Sequence, residues 1–204
     1  MKKIIFRYST MNAGKTANLI MTYHNYKELG LNPVAVVPNF SNNKIVSRTG
    51  MEIEALKMCE LHDYISTNKV DCILVDEAQF LSKEEVRYLN TLSIYVNITV
   101  ICYGLRTTST GVLFEGSTHL MAVADDIEEL PTLCVCGKKA KMNIRAVNGI
   151  VDKSDEVLKL REEKNVSYIS LCRKCFDRYY NKDDEDINIS HLTEKFDNTK
   201  ILKD

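Results

Sequence analysis

The sequence has no apolar run approaching the roughly 20 residues needed to span a bilayer. It has no large excess of either charge: formal net charge is −1, so no global field recruits nucleic acid or an anionic membrane. It also lacks a secretion signal, because the apolar stretch after Lys2-Lys3 is short and no small-residue cleavage site follows. These absences point to a cytoplasmic protein. There is no internal repeat. The seven cysteines are an odd number in a chain without a secretion signal, which argues against a disulfide framework and for metal ligation by close pairs.

What is present suffices for one good core with a small appendage in 204 residues. Residues 3–8, 33–37, 71–75 and 99–103 read as short apolar strands of the kind buried in a parallel sheet. Residues 14–29 read as a helix closed by Gly30, and Ser82-Lys-Glu-Glu85 as a capping box opening another. Residues 113–124 are expected to be helical, residues 39–48 loop, and residues 52–68 weakly helical. Strands alternating with helices predict an α/β fold: a P-loop (RecA-like) parallel sheet flanked by helices. We expect a nucleotide-binding domain over residues 1–130, a small zinc-binding domain over 131–180, and a polar, flexible tail over 181–204. Asn148-Gly149 predicts a hairpin turn, and the charged residues 154–166 an exposed loop.

Ser9-Thr10-Met11-Asn12-Ala13-Gly14-Lys15-Thr16 matches a phosphate loop except at its first position, where Ser9 replaces glycine. Small residues let backbone N–H groups wrap a phosphate at a helix N-terminus, Lys15 reaches the β- and γ-phosphates, and Thr16 offers a hydroxyl to Mg²⁺. The Ser9 departure asks that residue to take a backbone angle glycine adopts more easily. The apolar run 72–75 delivers Asp76-Glu77-Ala78-Gln79 at a strand end. Asp76 fits support of the Mg²⁺, and Glu77 stands where a carboxylate could accept a proton from an attacking hydroxyl. Together these motifs predict hydrolysis or transfer of a terminal phosphoryl group, without naming the acceptor.

Cys134, Cys136, Cys172 and Cys175 supply four thiols suited to a tetrahedral structural zinc; the alternative is unpaired packing cysteines. The order STMNAGKT, ILVDEAQFL, ICYGLRT with LFEGS, CVC and YISLCRKC resembles the zinc-containing type II thymidine kinases, bacterial branch, over residues 3–180. The resemblance implies ATP contacts at residues 9–16 and 76–79 (including Ala78 and Gln79) and Glu77 as the base on the nucleoside 5′-hydroxyl. It implies nucleoside contacts at Met11, Phe80, Leu105, Phe114 and Tyr168, and a lasso between the cysteine pairs that closes over the nucleoside. It further implies a homotetramer, Mg²⁺ dependence and feedback inhibition by thymidine triphosphate.

The chain departs from the family at Ser109, at residues 39–43 and at Leu160–Asn165, where the family's Gly-Gly is absent. Two alternatives stay open: a deoxynucleoside kinase of shifted or broader specificity, for example for deoxyuridine, and a zinc-containing P-loop ATPase acting on nucleic acid.

Overall fold

The computed structural model describes residues 2–154, 165–181 and 187–193. These form two compact units. Among them, the first comprises residues 2–9, 13–106 and 113–130, and the second residues 10–12, 107–112 and the described residues from 131 onward.

The first unit is built on β1 (Ile4–Ser9), α1 (Lys15–Glu28), β2 (Pro33–Val37), β3 (Lys44–Val46), β4 (Glu52–Glu54), β5 (Leu56–Lys57), α2 (Leu61–Thr67), β6 (Cys72–Val75), α3 (Lys83–Tyr95), β7 (Thr99–Leu105), α4 (Glu115–Val123) and β8 (Asp126–Glu129). Six of its strands make one sheet in the order β5-β2-β6-β7-β1-β8, and every pairing in it is parallel. The strands are continuous apolar runs because both faces are covered. Val34, Val36, Ile73, Val75, Val100 and Cys102 pack with Leu61, Val86, Leu89, Leu92 and Leu120 of helices α2–α4. The alternate residues, among them Ala35, Val37, Leu74, Ile101 and Tyr103, pack with Leu19 and Ile20 of α1. Period-2 alternation thus splits each run between two layers. The capping box opens α3 as expected: the Ser82 hydroxyl accepts from the Glu85 N–H, and the Glu85 carboxylate accepts from the Ser82 N–H.

Three expectations need correction. Residues 52–68 are not one weak helix. Glu52-Ile53-Glu54 alternates and pairs antiparallel with Lys44-Ile45-Val46, burying Ile45 and Ile53, so part of the expected loop at 39–48 is strand as well. Only residues 61–67 of that stretch form α2. Asp126–Glu129, assigned no element from the sequence, is mostly acidic and poor in strand formers apart from Ile127; it forms β8, where Lys3, just before β1, and Arg7 of β1 pair with Asp126 and Glu128.

The second unit holds an antiparallel sheet of β9 (Met142–Val147), β10 (Ile150–Asp152) and β11 (Val166–Leu171) in the order β10-β9-β11, with α5 (Arg173–Tyr180) and a last turn α6 (Ser190–Thr193). Asn148 and Gly149 both take positive φ, 52° and 79°, as a two-residue hairpin turn requires. The third correction falls here. Ile187, Ile189 and Leu192 are buried in this unit's core with Ile144, Ala146, Val151 and Leu171, so residues 187–193 are held rather than loose. The Ile187-Asn188-Ile189 alternation anchors them, with Val151 N–H donating to Ile187 O and Ile189 N–H to Gly149 O. Residues 182–186 and 194–204 of the expected tail, and 155–164 of the expected loop, lie outside the described residues. Among the described residues, no helix is long and apolar enough to cross a membrane.

Ile189 is fully buried. Ile189→Ala is therefore expected to lower unfolding free energy by about 2–5 kcal/mol, read by denaturant titration; an effect near zero would show that the segment is not part of this core.

Candidate functional site

Open α/β sheets bind ligands beyond the C-terminal edge of their parallel strands, and the candidate site residues of the first unit gather at that edge. β1 ends at Ser9, level with Leu105 at the end of β7, and β6 beside β7 ends at Val75. The chain leaves β1 through residues 10–14 and enters α1 at Lys15. Gly14, the residue before the helix, is left-handed at φ 72°, and Asn12 takes φ 62°. Ser9 remains ordinary strand, so the turn's unusual backbone falls on Asn12, a residue that tolerates that conformation, and on Gly14. No acidic residue occupies the first turn of α1. The positive end of its dipole thus lacks a first-turn carboxylate, the arrangement that suits a phosphate.

Lys15 Nζ donates to Ser9 Oγ at 3.3 Å, and Thr16 Oγ1 donates to Asp76 Oδ2 at 3.2 Å. The Glu77 N–H donates to Asp76 Oδ1 at 3.0 Å. Burial lowers the Lys15 pKa against the opposing pull of Glu77 and Asp76, with Arg48 adding to the lowering. Burial, then the Glu77 charge, pushes Asp76 up to about 6. Both charged forms are therefore held at a cost, one that an anion beside the lysine and a cation beside the carboxylate would relieve. Thr16 and Asp76 are oxygen donors of the type Mg²⁺ takes beside a phosphate, so the residues fit that ion.

Glu77 is exposed and left-handed at φ 51°, a backbone state uncommon for a non-glycine residue and a mark of functional strand ends. Ala78 and Gln79 are buried in the turn Ala78–Phe80. The Gln79 amide is committed inside the protein to Glu77 and to the Leu105 N–H. Phe80 and Phe114 meet edge to face with centroids 5.5 Å apart, and Leu105 is half-buried. Phe40, missed in the sequence because it sits in a polar stretch, packs on Phe80 at 5.4 Å and is half exposed.

In the second unit the sheet has two unlike faces. Ile144, Ala146, Ile169 and Leu171 point into the core, while Asn143, Arg145, Tyr168 and Ser170 share the other face, paired in register as Asn143 with Ser170 and Arg145 with Tyr168. Arg145 is buried and paired with Asp152. Met11, which belongs to this unit, has both backbone groups fixed: its N–H donates to Asn143 Oδ1 at 2.8 Å, and its carbonyl accepts from Ser170 Oγ at 2.7 Å. Asn143 and Ser170 were not singled out in the sequence. The only signal was the alternation of polar with apolar residues in the two strands, Asn143 and Arg145 in β9 and Tyr168 and Ser170 in β11.

The Sγ atoms of Cys134, Cys136, Cys172 and Cys175 all lie within 4.8 Å of one another. Cys136 Sγ is 3.5 Å from Cys134 Sγ and 3.6 Å from Cys172 Sγ. Ligands about 2.3 Å from a tetrahedral zinc stand about 3.8 Å apart, so the set fits. A tight turn, with Gly137 N–H donating to Cys134 O, presents the first pair, and the start of α5 presents the second. The Lys138 backbone N–H, with Cys134, lowers the Cys136 thiol to about 7, whereas burial raises Cys134 and Cys175.

A parallel sheet, a Gly-Lys-Thr loop and an acidic strand end are the parts of a P-loop protein that hydrolyses or transfers a terminal phosphoryl group. The model of the family "Thymidine kinase" matches residues 2–176. A thymidine kinase from Francisella tularensis subsp. holarctica (strain LVS) is 37% identical over 85% of this chain and 96% of its own length. One from Haemophilus influenzae (strain Rd) is 40% identical over 85% and 95%, and one from Shewanella oneidensis (strain MR-1) 39% identical over 86% and 97%. The chain belongs to the thymidine kinase family, and it is a kinase.

Cys172→Ser is expected to lower bound zinc, measured by elemental analysis of purified protein, and to reduce folded yield; unchanged metal stoichiometry would discard the four-cysteine site.

Proposed function

We propose that the protein is an ATP-dependent thymidine kinase, transferring the γ-phosphate of ATP to the 5′-hydroxyl of thymidine to give dTMP and ADP. The observation that carries the reading is the exposed Glu77 carboxylate beside buried Asp76 at the end of β6, in the same unit as Lys15 and Thr16, in a chain of this family. The 5′-oxygen forms its bond to the γ-phosphorus as the bond to the ADP oxygen breaks, and the hydroxyl proton passes to Glu77. Lys15 and the N-terminus of α1 stabilise charge on the transferring group. Mg²⁺, held by Thr16 and Asp76, would supply further positive charge to the phosphates.

The resemblance supports Met11, Phe80, Leu105, Phe114 and Tyr168 as nucleoside residues. Residues 9–16 and 76–79 are the proposed ATP segments, Gln79 through its backbone since its side chain is buried. The four cysteines are proposed to hold a structural zinc. Its binding energy, of the order of 10–16 kcal/mol in small zinc peptides, would support a unit with a modest core. The resemblance also supports thymidine triphosphate as feedback inhibitor, a homotetramer and a cytoplasmic address. Family membership removes the reading as an ATPase acting on nucleic acid.

Glu77→Ala is expected to lose about 10²-fold or more in kcat while still binding ATP; near-normal turnover would rule out Glu77 as the base. A panel of thymidine, deoxyuridine and deoxycytidine is expected to give the highest kcat/KM with thymidine. A preference for another nucleoside would move the assignment to a deoxynucleoside kinase of shifted specificity.

A further inference from the structure

Glu77 has the flexible stem of any glutamate and sits exposed at the surface, so left alone its carboxylate would sample several rotamers. One neighbour restrains it. Gln79, two residues on and 1% exposed, donates from Nε2 to Glu77 Oε2. Its other end, Oε1, accepts from the Leu105 backbone N–H at 3.0 Å. The direction of this amide is chemically forced. A backbone N–H can only donate, so the carbonyl end must face Leu105, which turns the NH₂ end to the carboxylate. A flipped amide would set two donors and two acceptors against each other.

The chain makes room for this side chain at Gly104. Its backbone is not left-handed, so conformational freedom is not the reason for glycine there. A Cβ would stand 2.9 Å from Gln79 Oε1, closer than real Cβ contacts, and 3.0 Å from Gln79 N, tighter than most of them. Leu105 is itself held, its carbonyl accepting from Ser117 Oγ. A rigid strand end therefore aims an amide at one oxygen of Glu77 and leaves the other oxygen outside this bond.

We propose that Gln79 is the positioning residue of the catalytic carboxylate: it orients Glu77 from the end of β7, through the Leu105 N–H, and does not itself touch either substrate by its side chain. The inference rests on the reading of Glu77 as base.

The test is a double-mutant cycle on full-length protein, with thymidine and Mg-ATP as substrates. Gln79→Met keeps side-chain length and removes both hydrogen bonds. It is expected to lower kcat by about 10- to 100-fold, since a misplaced reacting group costs rate, with KM for ATP changed by less than about threefold. In the Glu77→Ala background the same substitution is expected to change kcat by less than about twofold, because the group it acts through is gone. Wild-type kcat in Gln79→Met, or the full loss repeated in the Glu77→Ala background, overturns the positioning role. Near-normal kcat in Glu77→Ala alone fails the base reading instead, a separate outcome. If Gln79→Met does not fold, Gly104→Ala crowds both the Gln79 amide and its main-chain N; the same pattern of losses is expected and the same results overturn the proposal.

Discussion

The position of β7 between β1 and β6 is the constraint on which the reactive end of the molecule depends. Parallel pairing brings Ser9 level with Leu105 and sets Val75 opposite Cys102 on the other side of β7. The phosphate loop therefore starts on one side of β7 and the acidic pair on the other. Every further contact follows from that spacing. Thr16 reaches Asp76 from the start of α1, and Gln79 reaches back to the main chain of Leu105. A register slip of one residue would turn each strand's side chains to the opposite layer, and both cores would lose their packing. The apolar content of the strands thus secures the geometry of the charges.

Those charges oppose stability. Lys15 and Asp76 are each shifted by burial against their charged forms, and Glu77 occupies a left-handed backbone position. Such features survive because the surrounding sheet over-determines them. The second unit solves a different problem. Its sheet is only three strands, its apolar face is closed by α5 and by Ile187 and Ile189, and its four thiols gather at the start of α5. A small core of this kind is the usual setting for a metal that helps folding.

The parallel sheet was legible because strands buried on both faces are continuous apolar runs, and the loop because Gly-Lys-Thr follows one of them. The cysteine pairs were legible by spacing. What escaped depends on long-range pairing that local patterns do not carry. Glu52–Glu54 becomes a strand through its partner at Lys44–Val46. Asp126–Glu129 does so beside β1, where Lys3, just before that strand, and Arg7 pair with Asp126 and Glu128. Ile187 and Ile189 looked like stray apolar residues in an acid-rich tail until the core they complete was visible. At the site, the residue types of Asp76 and Glu77 announced their chemistry, whereas Asn143, Ser170 and the side chain of Gln79 act through partners far along the chain.

The central claim is that this arrangement moves the terminal phosphoryl group of ATP onto the 5′-oxygen of thymidine. The most direct measurement incubates the purified protein with thymidine, Mg²⁺ and ATP carrying ¹⁸O on its γ-phosphate, and reads the products by mass spectrometry. The account predicts dTMP whose phosphate carries the label, formed in equal amount with ADP. Labelled inorganic phosphate with no dTMP would contradict it.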